Sequence, residues 1–158
     1  MATRSRIGIQ LSDDSILSVY CHWDGYLEHN GAILQEHYDS ARANQMVALG
    51  DMSQLQQEIG RPHALHMTYI VPGEFQQRHE FIQHWCTFYG RDGGEKHTEH
   101  KVDHTFAEFL ERVEDCHAEY YYIMENGQWY CGSMHERDPF YRRLVLLSDA
   151  LEYDEIDQ

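Results

Sequence analysis

The stretch Glu119-Tyr-Tyr-Tyr-Ile-Met-Glu125, Asn126-Gly127, Gln128-Trp-Tyr-Cys-Gly-Ser-Met134 reads as a β-hairpin and decides the fold class. Asn-Gly between two aromatic-rich runs is the strongest short hairpin signal, because both central residues of a type I′ turn need positive φ. A second hairpin is predicted near the N-terminus, where Arg6-Ile-Gly-Ile-Gln-Leu11 and Ile16-Leu-Ser-Val-Tyr-Cys-His-Trp23 flank the turn residues Ser12-Asp-Asp-Ser15. Between the two hairpins, strands are predicted over 66–71 and 81–89 on either side of Pro72-Gly73. A tight turn follows at Gly90-Arg-Asp-Gly-Gly94, then a strand over 97–103 of alternating polarity.

Helices are placed by their punctuation. Asn30 can cap a helix over 32–38, and Ser40 can cap a second whose apolar Ala43, Met46, Val47 and Leu49 precede Gly50 as a stop. Ser53-Gln-Leu-Gln56 has capping-box spacing and predicts a third helical turn ending at Ile59-Gly60, before Pro62. Thr105-Phe-Ala-Glu108 is a capping box for a helix through Val113, and the segment 139–153 reads as a last helix with Tyr141, Leu144, Val145 and Leu147 turned to the core. Pieces this short are marginal alone and must lie on a sheet to persist. Strands, helices, strands, helix, strands, helix is the order of an α+β fold. The expectation is one domain over residues 1–158, with a largely antiparallel sheet of about five to six strands, short helices packed on it, and an acidic end over 149–158.

Charge restricts function further. Twelve basic against 27 acidic side chains leave −15 with the histidines neutral, a field that repels phosphate backbones and anionic headgroups. Direct binding to nucleic acid or to a membrane surface is therefore disfavoured. The imbalance is uneven: residues 1–79 carry 5 bases and 9 acids, residues 80–158 carry 7 and 18. Protonating all twelve histidines would bring −15 only to −3, so charge-driven binding should weaken below about pH 6. No apolar segment follows the arginines of Met1-Ala-Thr-Arg-Ser-Arg6, and no run approaches the roughly 18 apolar residues of a membrane span. A cytoplasmic protein is expected. Cys21, Cys86, Cys116 and Cys131 are far apart and form no CxxC, so they read as buried free thiols of a reducing compartment.

At Ser18-Val-Tyr-Cys-His-Trp-Asp-Gly-Tyr26, Glu36-His-Tyr38, Leu49-Gly-Asp51 and Cys86-Thr-Phe-Tyr-Gly-Arg-Asp92, the chain resembles a set of small uncharacterised bacteriophage proteins. The likeness spans roughly the first two thirds and continues more loosely into the aromatic hairpin. It implies a phage origin, expression in an infected bacterium and an accessory role, and it carries over no catalytic residue.

The richest chemical constellation is Glu95-Lys-His97-Thr-Glu99-His100-Lys-Val-Asp103-His104. His97, His100 and His104 are candidate ligands for zinc or another divalent metal, and would share a face on a helix. The capping box at Thr105 argues for a strand, whose alternation keeps the three imidazoles from converging without a turn. His63 and His66 could add ligands. Cys21-His22 and Cys116-His117 are adjacent pairs that point to opposite faces of a strand; His84 and Cys86 have the parity of one face but no orienting third group. Asp24, Asp51 and Asp92, with Arg91 nearby, could be imagined as a metal-assisted hydrolase, but each sits where turn and capping chemistry calls for Asp.

Tyrosines and tryptophans remain: Trp23, Tyr26, Trp85, Tyr89, Tyr120, Tyr121, Tyr122, Trp129 and Tyr130. Both faces of Tyr120-Tyr121-Tyr122 are aromatic, which predicts at least one ring at the surface or under a partner. Combined with the acids near the C-terminus, this assigns partner binding to Tyr120, Tyr122, Trp129, Asp149, Glu152, Asp154 and Glu155. The leading expectation is a non-enzymatic accessory protein without a cofactor, which binds a host protein of basic surface and inhibits or redirects it. The alternative is a small metal-dependent hydrolase or metal-binding module built on residues 97–104.

Overall fold

The structure, a computed structural model, describes residues 2–63 and 83–156. Its elements in chain order are β1 (Ser5–Gln10), β2 (Ile16–Cys21), a π-turn (Leu27–Gly31) running into α1 (Ala32–His37), α2 (Ser40–Ala48), β3 (Met52–Gln54), β4 (Thr87–Phe88), β5 (Lys101–Asp103), α3 (Phe106–Asp115), β6 (Tyr120–Glu125), β7 (Gln128–Ser133), β8 (Val145–Leu146) and α4 (Leu147–Ile156). Among the described residues the strands form one mixed sheet of eight, ordered β4-β3-β2-β1-β6-β7-β8, with β5 also beside β2. This is the α+β fold expected. The strand count exceeds five to six because β3, β4, β5 and β8 are pieces of only two or three residues. Most pairings are antiparallel; β1 with β6 and β2 with β3 are parallel.

Both predicted hairpins form. Ser5 to Gln10 pair with Cys21 to Ile16, and Tyr120 to Glu125 pair with Ser133 to Gln128. Asn126 (φ 50°) and Gly127 (φ 77°) take the positive φ values a type I′ turn requires. The hairpins lie side by side through β1 and β6, with Ser5 opposite Tyr120 and Ile9 opposite Met124.

Several local expectations are corrected. Asp39, not Ser40, caps α2, accepting from the Arg42 N–H at 2.9 Å. Asn30 caps nothing: it is buried, and its amide nitrogen donates to Ser5 Oγ (3.2 Å) and the Trp23 carbonyl (3.4 Å), tying the π-turn to β1 and β2. The predicted helical turn at Ser53–Gln56 is strand β3 at its start, because the Met52 and Ser53 carbonyls accept from His22 and Trp23 where β2 ends. A segment that short could not offset helix nucleation. Residues Val145 and Leu146 extend the sheet beside Cys131 and Tyr130 rather than joining the last helix, since Arg142 adopts φ 55° and breaks any helix begun at Pro139. The predicted strand over 66–71 and the first two residues of that over 81–89 lie outside the described residues; Thr87–Phe88 is β4. The Thr105 cap forms as expected, its hydroxyl accepting from the Glu108 N–H at 3.1 Å.

Both faces of the sheet are covered. On one, Ile7, Val19, Tyr122, Met124 and Trp129 pack with Leu34 of α1, Met46 of α2 and Leu147 of α4. On the other, Ile16, Tyr121 and Ile123 pack under Phe109, Leu110 and Val113 of α3. The buried aromatics keep their polar ends satisfied: the Tyr122 hydroxyl donates to the Gly25 carbonyl at 2.6 Å, the Trp129 indole N–H to the Tyr38 carbonyl at 2.8 Å, and the Tyr121 hydroxyl to the Arg143 carbonyl. Tyr122→Phe therefore leaves the Gly25 carbonyl without this donor and should cost about 1–2 kcal/mol in urea unfolding. Tyr130→Phe, at a partly exposed ring, should cost less than about 0.5 kcal/mol. Equal losses would contradict this assignment.

Candidate functional site

The histidine segment does not assemble. His97 is exposed at φ 63°, His100 is partly buried, and His104 lies beyond β5, exposed, with its backbone N–H held by Glu108 Oε2 at 2.9 Å. Strand β5 carries the chain away between His100 and His104, so the three imidazoles do not converge. Among the described residues no three His, Cys, Asp or Glu side chains are grouped as a metal ion requires. His63 is turned to the Cys86 carbonyl (3.1 Å) and Asp92 (3.6 Å); His66 lies outside the described residues.

The carboxylates suggested for a hydrolase are structural. The Asp92 side chain is fully buried, accepts from the Phe88 N–H (2.8 Å) and the His63 N–H (3.0 Å), and is clamped by Arg91 at 3.0 Å. Arg91 also donates to the Gly60 and Cys86 carbonyls and lies over the Phe88 ring, so its guanidinium is spent on the loop. Asp51 accepts from the Tyr20 N–H at 2.9 Å. Burial raises its carboxyl above the ordinary 3.8, opposed in part by that N–H and by Arg6 and Lys101. Asp24 sits at φ 57° as the chain turns out of β2.

Three thiols are sealed. Cys21 and Cys131 are buried and pushed up to about 12, and Cys86, also raised by burial, lies 3.1 Å from the Tyr38 hydroxyl. His84 is exposed while Cys86 is buried, so the parity of that pair brings no base to the thiol. Cys116 is the partly exposed exception, at the end of α3 in a groove of about 480 Å³ whose lining includes Arg6, Lys101, Arg112 and Asp115. Arg6, only 4% exposed, bonds Ser18 Oγ at 2.8 Å and the Ser18 carbonyl at 3.2 Å. The sequence reading missed this buried arginine, although a charged residue one step before the apolar Ile7-Gly-Ile9 was its signal.

The proposed aromatic surface is corrected in two places. Tyr122 is 0% and Trp129 5% exposed, so both belong to the core. Alternation predicts that one face of a half-covered sheet is wet, whereas α1, α2 and α4 cover one face here and α3 the other. Tyr120 is partly exposed, with its ring 5.5 Å from that of His135. Among the described residues the exposed large aromatics are Tyr153 on α4, at 48%, and Trp23, at 44%, the latter just past β2, where strand alternation no longer applies. His22 stands edge-on to it at 4.8 Å and meets the Tyr20 hydroxyl at 2.7 Å through Nδ1.

A comparison with protein-family models, curated proteins and solved structures finds no match. Among the described residues no helix is long and apolar enough to cross a membrane.

The charges are arranged less symmetrically than their count suggests. Arg91 and Arg112 pair with Asp92 and Asp103, whose side chains are buried, the second through two bonds of 2.8 and 3.1 Å. Arg42 donates to the carbonyls of His37 and Gln57. The exposed acids receive little of this positive charge: Glu114 is 3.9 Å from Arg142, and no ion pair among the described residues includes Glu95, Glu99, Glu108, Glu111, Asp115, Asp149 or Glu152. Of the acids assigned to partner binding, Asp149 and Glu152 are exposed on α4 and Asp154 is partly so; the Glu155 side chain is outside the described set.

Two outcomes follow. In the folded chain an aromatic disulfide reagent should label Cys116 rapidly and the other three thiols only on unfolding, and Cys116→Ser should abolish the fast phase; a second fast thiol would contradict the burial pattern. Asp51 holds its proton more tightly folded than unfolded, so stability is lost as pH rises from 3.8 through its raised folded value. Asp51→Asn keeps an acceptor for Tyr20 and cannot ionise. The melting temperature of the wild type should therefore fall relative to this variant between pH 3.5 and 7, and a pH-independent difference would refute the assignment.

Proposed function

We propose that this chain is a non-enzymatic binding protein, an accessory factor of the kind its phage resemblance implies, which acts in the host cytoplasm by holding a host protein of basic surface and inhibiting or redirecting it. The observation that carries this reading is that four of the ten arginines are engaged within the fold. Arg6, Arg42, Arg91 and Arg112 are turned to backbone carbonyls, a hydroxyl and carboxylates with buried side chains, which leaves the exposed acids of α3 and α4 with little compensation from them. A surface of that sign steers a basic partner into encounter and repels nucleic acid itself. The partner class with the complementary field is an enzyme or defence complex whose cleft grips nucleic acid.

The test is recovery of the full chain with its bound partner from expressing bacteria, identification by mass spectrometry, and titration of the purified pair with salt. A partner with a basic surface should be recovered, and its affinity should fall on the order of tenfold or more between 50 and 500 mM salt as screening shortens to a few ångströms. A partner without a basic surface, or one held equally at both salt concentrations, would overturn the reading.

A further inference from the structure

A cleft of about 440 Å³ opens between the C-terminal end of α1 and the turn of the β6–β7 hairpin, lined among others by Glu36, Asp39, Gln128, Trp129, Leu146 and Ser148. That volume sits toward the small end of ligand pockets, the size for one long side chain rather than a cofactor. Trp129 contributes what little of its ring is uncovered, and the bond from its indole N–H to the Tyr38 carbonyl at 2.8 Å fixes that ring in place. Leu146 adds apolar wall.

The acidic groups of the lining are Glu36 and Asp39, and His37 also lines the cleft. The Glu36 side chain is 76% exposed, with His37 Nε2 3.8 Å away as its ion-pair partner. Asp39 is exposed and accepts from the Arg42 N–H through Oδ1, which leaves Oδ2 for a ligand. Among the described residues no lysine or arginine lines the cleft. Arg42, the nearest in sequence, is drawn off to the carbonyls of His37 and Gln57 and lies over the Tyr38 ring at 4.6 Å. The end of α1 adds the negative pole of its peptide dipoles.

We propose that this cleft is the anchor pocket for an arginine side chain of the basic partner. The inference rests on the functional reading above for the origin of that arginine, and on the cleft alone for its chemistry. A guanidinium is planar, permanently charged and weakly hydrated; it lies against aromatic surface and bonds a carboxylate through two parallel N–H groups, whereas an ammonium does neither as well. Its three methylenes match the apolar wall. Buried arginine anchors seated in rigid pockets are a common source of interface affinity.

The probe is N-acetylarginine N-methylamide, titrated into the uniformly ¹⁵N-labelled full chain and followed by amide and indole resonances. The Trp129 indole N–H and the Gly127 and Gln128 amides should shift saturably at millimolar probe. The lysine analogue should bind at least threefold more weakly, and the uncharged norleucine analogue should not saturate. Glu36→Gln with Asp39→Asn should weaken the arginine probe at least fivefold; Asn caps a helix as well as Asp, and the same spectra verify that the variant keeps its fold. Absence of a saturable shift at these positions, an unchanged affinity in the double variant, or equal binding of the lysine analogue would overturn the proposal. The two readings fail separately. If the salt-sensitive partner binds the double variant as tightly as the wild type, the pocket is wrong and the functional reading stands. If the cleft takes the probe but no basic partner is recovered, the functional reading is wrong and the partner's arginine falls with it.

Discussion

Strand β1 is hydrogen-bonded along both edges, to β2 and to β6, and covered on both faces, and most of the architecture follows from that position. Two hairpins that could each form locally become one sheet only because β1 and β6 align in parallel. Once joined, they present two apolar faces, and the helices α1, α2 and α4 on one side and α3 on the other are what keep both from water. The crowding is visible at Gly8, where a Cβ would lie 2.6 Å from the Leu17 carbonyl oxygen. It is visible again at Tyr121 and Tyr122, consecutive rings on opposite faces, each fully buried and each ending on a backbone carbonyl.

The same burial shapes the electrostatics. The arginine on β1 is almost wholly buried and settles on Ser18, while Arg91 and Arg112 are drawn to carboxylates that the fold has enclosed. Guanidinium suits this use, because its rigid fork of donors satisfies several acceptors at once and its hydration is weak. Part of the positive charge is thereby used within the fold, while acids such as Glu111, Asp115, Asp149 and Glu152 stay exposed. Exposed charges separated by more than a Debye length act mainly as a field, so on the proposed reading the contribution of this surface would lie in encounter and orientation. Tight holding requires desolvated anchors, and the proposed one is the cleft where Glu36 and Asp39 lie beside the small uncovered part of Trp129.

What could be read in advance was local. Asn126-Gly127 prescribes its turn through backbone φ, Thr105 and Glu108 stand at cap spacing, and Gly50 ends α2 at φ 92°; none of these needs a distant partner. The misreadings have a common origin in partners far along the chain. Ser53 had the spacing of a cap, yet its backbone was claimed by Trp23; Val145 and Leu146 followed a plausible helical pattern, yet Cys131 and Tyr130 offered them a sheet edge. Asn30 was available as a cap and was drawn instead to Ser5 and Trp23. The histidines of 97–104 formed a metal-like pattern in one dimension that β5 pulls apart in three.

Composition and local pattern were enough to establish an acidic α+β chain with two hairpins, because charge sums without regard to geometry and turns depend on the φ preferences of one or two residues. Which aromatics are interior, which arginine is buried and where a cleft remains were decided by tertiary structure. Those outcomes depend on whether a sheet face receives a second cover. In this chain the second cover is α3, whose docking on Tyr121 and Ile123 no spacing along the chain encodes.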